Sequence, residues 1–133
     1  MTPKDEAKQQ LLANGFSAEQ ILYAERAGFK CEYCDRDLLA SVDDYDAWQL
    51  DHIYPVSKEG SDDSLNMAVA CKTCNSMKRA ACPPNRKPPS TEDERARLIE
   101  WGRDLIAEKR TQKQLKVAKI RCLARALLEP GYK

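Results

Sequence analysis

Four cysteines in two pairs, Cys31-Glu32-Tyr33-Cys34 and Cys71-Lys72-Thr73-Cys74, bracket an acid beside the only histidine of the chain, Asp51-His52. A Cys-x-x-Cys pair puts two thiolates within reach of one metal ion, and two such pairs complete a tetrahedral all-thiolate set of the kind zinc favours. Such a site has no open position and is structural; in small zinc domains metal binding contributes on the order of 10 kcal/mol to folding. Two disulfides, or four unrelated thiols, would draw on the same residues. The 36 residues between the pairs are more than a plain zinc ribbon needs. Something is held in that loop, and what it holds is Asp51-His52.

A lone histidine is most often a surface residue or a satisfied core partner, but its setting here points elsewhere. Asp51 and the amide oxygen of Asn75, which directly follows the second pair, are hard donors able to fill part of the shell of a divalent cation, with positions left for phosphate and water. An adjacent imidazole can take a proton from that water.

As a spaced set, Asp51-His52-Ile53-x-Pro55, then Asn66, then Cys71-x-x-Cys74-Asn75-x-x-Lys78 resembles the HNH endonuclease family with its ββα-metal active site. The preceding Gly28-x-x-Cys31-x-x-Cys34 is similar to the first zinc knuckle of the cysteine-bearing branch of that family, which includes phage junction resolvases. The resemblance covers about residues 26–79. It implies that Asp51 and Asn75 bind one catalytic cation and that His52 is the general base. Asn66 joins the catalytic set as an orienting residue, holding the loop that positions the histidine. It also implies hydrolysis of DNA phosphodiester bonds to 5′-phosphate and 3′-hydroxyl ends. The third motif letter is Asn75 instead of histidine, and an amide oxygen is a poor ligand for soft metals. That favours Mg2+ or Mn2+ over nickel or a second zinc, beside the structural Zn2+ of the four cysteines. In a regular strand Asp51 and His52 point to opposite faces, so both reach one site only if the strand ends, bends or bulges there.

The elements that must carry these residues can be read in order. Pro3 to Ala13 is helix-favouring and stops at Asn14-Gly15; Ser17 with Gln20 caps a second helix, with Ile21, Leu22 and Ala24 apolar, ending near Gly28. Residues 35–46 read as mostly loop. Strands are expected over Ala47 to Ile53 and Asn66 to Ala70, with a loop over Ser57 to Ser64 and a short helix over Lys72 to Ala80. Cys82 to Ser90 is Pro-rich and cannot be helical. Thr91 with Glu94 opens a helix to about Glu108, and a last one runs from about Gln112 to Leu128, closed by Pro130-Gly131. Trp48 and Trp101 sit in apolar local patterns and read as core residues.

At 133 residues the chain has room for one domain with appendages. The expected division is a helical arm over 1–30, a nuclease core with zinc knuckles over 31–80, a linker over 81–90 and a basic helical tail over 91–133. The fold class is α+β, a small ββα-metal core braced by the four-cysteine site and flanked by N- and C-terminal helices. Net charge is only +1, yet residues 1–70 carry 6 Lys and Arg against 14 Asp and Glu, and residues 101–133 carry 9 against 3. A basic rear face suits a nucleic acid, and solvated helix surface is the plain rival. Lys72, Lys78 and Arg79 are placed to meet phosphate, as is the tail with Lys109, Arg110, Lys113, Lys116, Lys119, Arg121 and Arg125. Phosphate contacts of this kind position a duplex without reading its sequence.

No apolar run approaches a membrane span, and Met1 to Glu6 carries no signal-peptide core, so a cytoplasmic protein is expected. DNA is the expected partner, with a homodimer or a larger phage or bacterial nuclease complex left open. A zinc-stabilised DNA-binding or protein-interaction module without nuclease activity is the alternative. Intact Asp51, His52 and Asn75 speak against it, because a zinc scaffold needs only the cysteines.

Overall fold

The computed structural model describes residues 1–55 and 62–130. The loop expected over Ser57 to Ser64 falls largely outside these residues, as does the Gly131 half of the stop after the last helix. Two N-terminal helices, α1 (Pro3–Ala13) and α2 (Ala18–Ala27), open with capping boxes, Thr2 with Asp5 and Ser17 with Gln20. Each box satisfies backbone donors that a helix start leaves unpaired. Gly28, at φ 67°, closes α2 in the left-handed region that glycine enters without strain. Ile21, Tyr23 and Ala24 face inward, whereas Leu22, expected to add to that face, is 54% exposed.

The chain then makes a tight knuckle in which Lys30 bridges Asp37 and the first cysteine pair occupies the turn between them. Residues 35–46 are not all loop: α3 (Val42–Asp46) forms one short helix. Ser41 accepts from the Asp44 amide, and Arg36 pairs with the Asp44 carboxylate. Acids in a first turn favour the helix through its dipole without any apolar periodicity, which is why the pattern missed it.

β1 (Trp48–His52) and β2 (Met67–Cys71) form a two-stranded antiparallel sheet, from Trp48 opposite Cys71 to His52 opposite Met67. A single 3₁₀ turn, Ser64–Asn66, leads into β2, and α4 (Lys72–Lys78) follows it directly. β2 is buried at all five positions, between its partner strand and α2 and α4. With Tyr33, Leu38, Ile53, Leu98 and Ile106 it makes the core, and three of the paired cysteines lie within that core. Trp48 packs against Phe16 and Phe29, ring centroids 6.0 and 6.2 Å away.

The two C-terminal helices expected from the sequence are one. α5 (Glu92–Leu128) runs for 37 residues, a rod of about 55 Å. No Gly or Pro interrupts Ala107 to Gln112, and the Thr111 hydroxyl donates back to the Ala107 carbonyl at 3.1 Å. The first half is bound to the core by cations. Arg95 donates to Glu32 and to the Met67 carbonyl, Arg103 to the Glu32 carbonyl and to Asp35, and Lys109 to the Met77 carbonyl at 2.6 Å. From Thr111 to Leu128 every position except Ala124 is exposed, so about 27 Å of helix is largely open to solvent. Among the described residues no helix is long and apolar enough to cross a membrane.

Candidate active site and metal centre

The knuckle after α2 supplies Cys31 and Cys34, the end of β2 supplies Cys71, and the first turn of α4 supplies Cys74. The four Sγ atoms lie within 4.8 Å of one another, and Cys34 and Cys71 are 3.8 Å apart. A tetrahedron with Zn–S bonds of about 2.3 Å has edges of about 3.8 Å, whereas a disulfide needs about 2.05 Å. The cysteines are positioned to hold one metal ion, and all six in the chain are free thiols, which removes the disulfide alternative. Hydrogen bonds from the Cys31 and Cys74 thiols hold Cys71 far below the ordinary thiol range, while the same hydrogen bonding keeps Cys31 and Cys74 above it, so the bare cluster favours one thiolate at Cys71. Arg110 Nη2 lies 3.2 Å from Cys74 Sγ and 3.8 Å from Cys71 Sγ, placing a cation against that charge. Arg110 and Lys109, both expected to grip phosphate, are instead spent on the thiols and on the Met77 carbonyl.

β1 ends at His52, and this termination brings its last two side chains to one pocket. The register stays regular through His52 opposite Met67, without a bulge. Leu50, Asp51, His52, Pro55, Asn75, Arg79 and Ala80 line a shallow pocket of about 260 Å³. Asp51 is 4% exposed; its Oδ2 accepts from the Tyr33 hydroxyl at 2.6 Å and pairs with Lys78 Nζ at 3.1 Å. Burial raises the Asp51 carboxyl above its ordinary value, and the Lys78 ammonium and the Tyr33 hydroxyl pull against it. His52 Nε2 meets Asp62 Oδ1 at 2.7 Å. Asn75 donates through Nδ2 to Gln49 Oε1 at 2.5 Å, which turns its carbonyl oxygen the other way.

Asn66 is fully buried, and it accepts from the Tyr54 amide at 2.8 Å and donates to the Tyr54 carbonyl at 3.1 Å. Its backbone carbonyl also accepts from Ile53, so one residue ties the turn after His52 to the start of β2.

Lys78 is corrected by the structure. It has no exposed surface, and its ammonium is shared among Asp51 and the His52 and Ile53 carbonyls at 3.0 and 3.1 Å. A buried, fully engaged ammonium cannot meet an incoming phosphate. Arg79 and Lys72 are exposed, and of the two Arg79 lines the pocket. Lys113 and Lys116 stand on the free half of α5, away from this pocket.

Three partners of the site were not picked out from the sequence. Gln49 is two residues before Asp51 and so shares its strand face, a signal present in the alternation. Tyr33 lies between two cysteine ligands, where a buried aromatic reads as packing alone. Asp62 stands ten residues past His52 and leaves no periodic trace.

Residues 31–81 match the family model described as HNH endonuclease. The resemblance drawn from the motif is thereby borne out over the stretch that holds both cysteine pairs, the hairpin and α4. Its small α+β architecture, two strands and a helix beside four clustered cysteines, is that of a ββα-metal core. No curated protein and no solved structure matches the chain.

Proposed function

We propose that this protein is a metal-dependent endonuclease that hydrolyses DNA phosphodiester bonds to 5′-phosphate and 3′-hydroxyl ends. The observation that carries the reading is the meeting of Asp51, His52, Asn75 and Arg79 around one open pocket, inside the segment that matches the HNH endonuclease model.

The donor set fits a hard cation. An Asp51 carboxylate with lone pairs beyond those used by Tyr33 and Lys78, and an Asn75 carbonyl not tied to Gln49, offer oxygen ligands from two elements to Mg2+ or Mn2+. When bound, that cation supplies positive charge to the scissile phosphate and the leaving oxygen. Asp62 at Nε2 holds the His52 imidazole as the Nε2–H tautomer, so Nδ1 is the atom that takes the proton of the attacking water. The water oxygen bonds to phosphorus, the P–O3′ bond breaks in line, and the 3′ oxygen leaves to be protonated from solvent. Arg79 at the pocket rim, with Lys72 beyond it, holds phosphate oxygens; Asn66 keeps the turn after His52 in place, and Lys78 fixes Asp51. The all-thiolate site holds Zn2+ as a structural ion.

The test is plasmid cleavage in Mg2+ or Mn2+ by wild type and His52→Ala, after each is shown to carry one zinc and to melt alike. Wild type should cut and His52→Ala should be slower by about 10²- to 10⁴-fold, the usual share of a general base. An equally active His52→Ala protein overturns the base assignment. No cleavage by wild type on duplex or branched DNA leaves a binding module in its place.

A further inference from the structure

α4 has two flanks. Asn75, with Arg79 just past the helix end, lines the candidate active-site pocket; Thr73 and Met77, each offset from Asn75 by two residues, line a groove on the other side. Two residues correspond to about 200° around a helix, so pocket and groove lie on opposite sides of one element. The groove, about 400 Å³, is completed by the emerging half of α5 with Lys113, Gln114, Val117 and Arg121. Lys113 and Arg121 make no ion pair or hydrogen bond among the described residues, and the chain holds no acid between Lys109 and Ala126. Their charge is unopposed.

Two occupants compete with a polyanion. A second copy of the chain would use the spacing Val117, Ile120, Ala124, Leu127, but in that frame a parallel partner sets Lys116 against Arg121, like charge on like charge. An acidic polypeptide fits the charge of the groove but leaves its place beside the candidate cutting site unexplained. A nucleic acid fits both. A helix with its side chains is about 10–12 Å across, close to the width of a DNA groove, about 6–12 Å, so the two strands bordering that groove fall on the two flanks of α4.

We propose that Lys113 and Arg121 hold the phosphate backbone of the uncut strand while the other strand lies at the His52, Asn75 and Arg79 pocket, which makes double-stranded DNA the substrate. The assignment rests on the nuclease reading of that pocket. Lys113 is thereby a contact to the duplex and Lys116, which does not line the groove, is not.

The test is fluorescence anisotropy on the zinc-loaded full chain carrying His52→Ala, with and without Lys113→Glu and Arg121→Glu together. Probes are a duplex of about 20 base pairs and the corresponding single strand over a salt series, where each lost contact lowers the log–log slope by about 0.9 on duplex. Expected are a duplex affinity reduced about tenfold or more, a slope lower by about 2, and single-strand binding within about twofold of the parent. A Lys116→Glu, Lys119→Glu protein, with the same charge change off the groove, should keep most duplex affinity. Unchanged duplex binding, or an equal loss on both probes, overturns the assignment. Intact duplex binding with loss of poly-glutamate binding overturns it in favour of an acidic polypeptide. If His52-bearing wild type never cuts while the duplex-specific loss is seen, the groove assignment stands as a binding surface and the nuclease reading falls.

Discussion

Lys78 shows how a single side chain can be legible in kind and misleading in place. Its spacing from Asn75 marks it as part of a motif, but whether a lysine on a short helix faces water or protein depends on what lies beneath. Here the Asp51 carboxylate and two carbonyls of the outgoing strand form a complete seat for the ammonium. Removing one partner of a buried pair strands the other. Lys78→Met should cost about 3–5 kcal/mol in urea unfolding, and Asp51→Asn added to it should recover part of that loss. Asp62 presents the opposite case, an exposed acid on a half-exposed histidine. Water can replace much of what it supplies, so Asp62→Ala should lower kcat by on the order of tenfold, below the usual share of a general base, with an unchanged melting temperature.

At the level of elements, the capped N-terminal helices and the hairpin were readable because caps, alternation and turn residues are local signals. The continuity of α5 was not, because Lys109 and Arg110 break its apolar stripe and a stripe is what sequence reading follows. The structure uses those two cations as packing contacts, on a carbonyl and on the thiols. Gly102 is the other hidden contact. A Cβ there would lie 2.7 Å from Cε1 of Tyr33, a buried ring whose hydroxyl holds Asp51. Alanine in a helix gains about 1 kcal/mol over glycine, but forcing a buried ring aside costs about 1–3 kcal/mol. Gly102→Ala should therefore lower the melting temperature. It should also weaken Mn2+ binding, read by titration, because the displaced ring carries the hydrogen bond to Asp51.

For the whole molecule, the core is organised on the metal site: Cys31, Cys71 and Cys74 lie inside the main apolar cluster. Structural zinc contributes on the order of 10 kcal/mol, comparable with the about 5–15 kcal/mol by which a domain is stable. Chelation, or Cys71→Ser, should abolish cooperative melting of the body, read by near-ultraviolet circular dichroism. A Cys71→Ser protein that melts like wild type would defeat the structural assignment. The charge polarity of the chain was plain from composition. Which basic residues remain free was not, since that depends on where the long helix leaves the body.

Arg110 sits at that point of departure, so the outer half of α5 is a rod anchored at the thiols, and any tilt of it would have its fulcrum there. Lys113 is about 5 Å along the rod from the fulcrum and Arg125 about 22 Å, so a small rocking of the helix moves the second roughly fivefold further than the first. A charge near the pivot would keep its distance from the candidate pocket whatever the angle. One near the tip would shift with that angle, so a single rigid rod offers a fixed gauge at one end and an adjustable reach at the other.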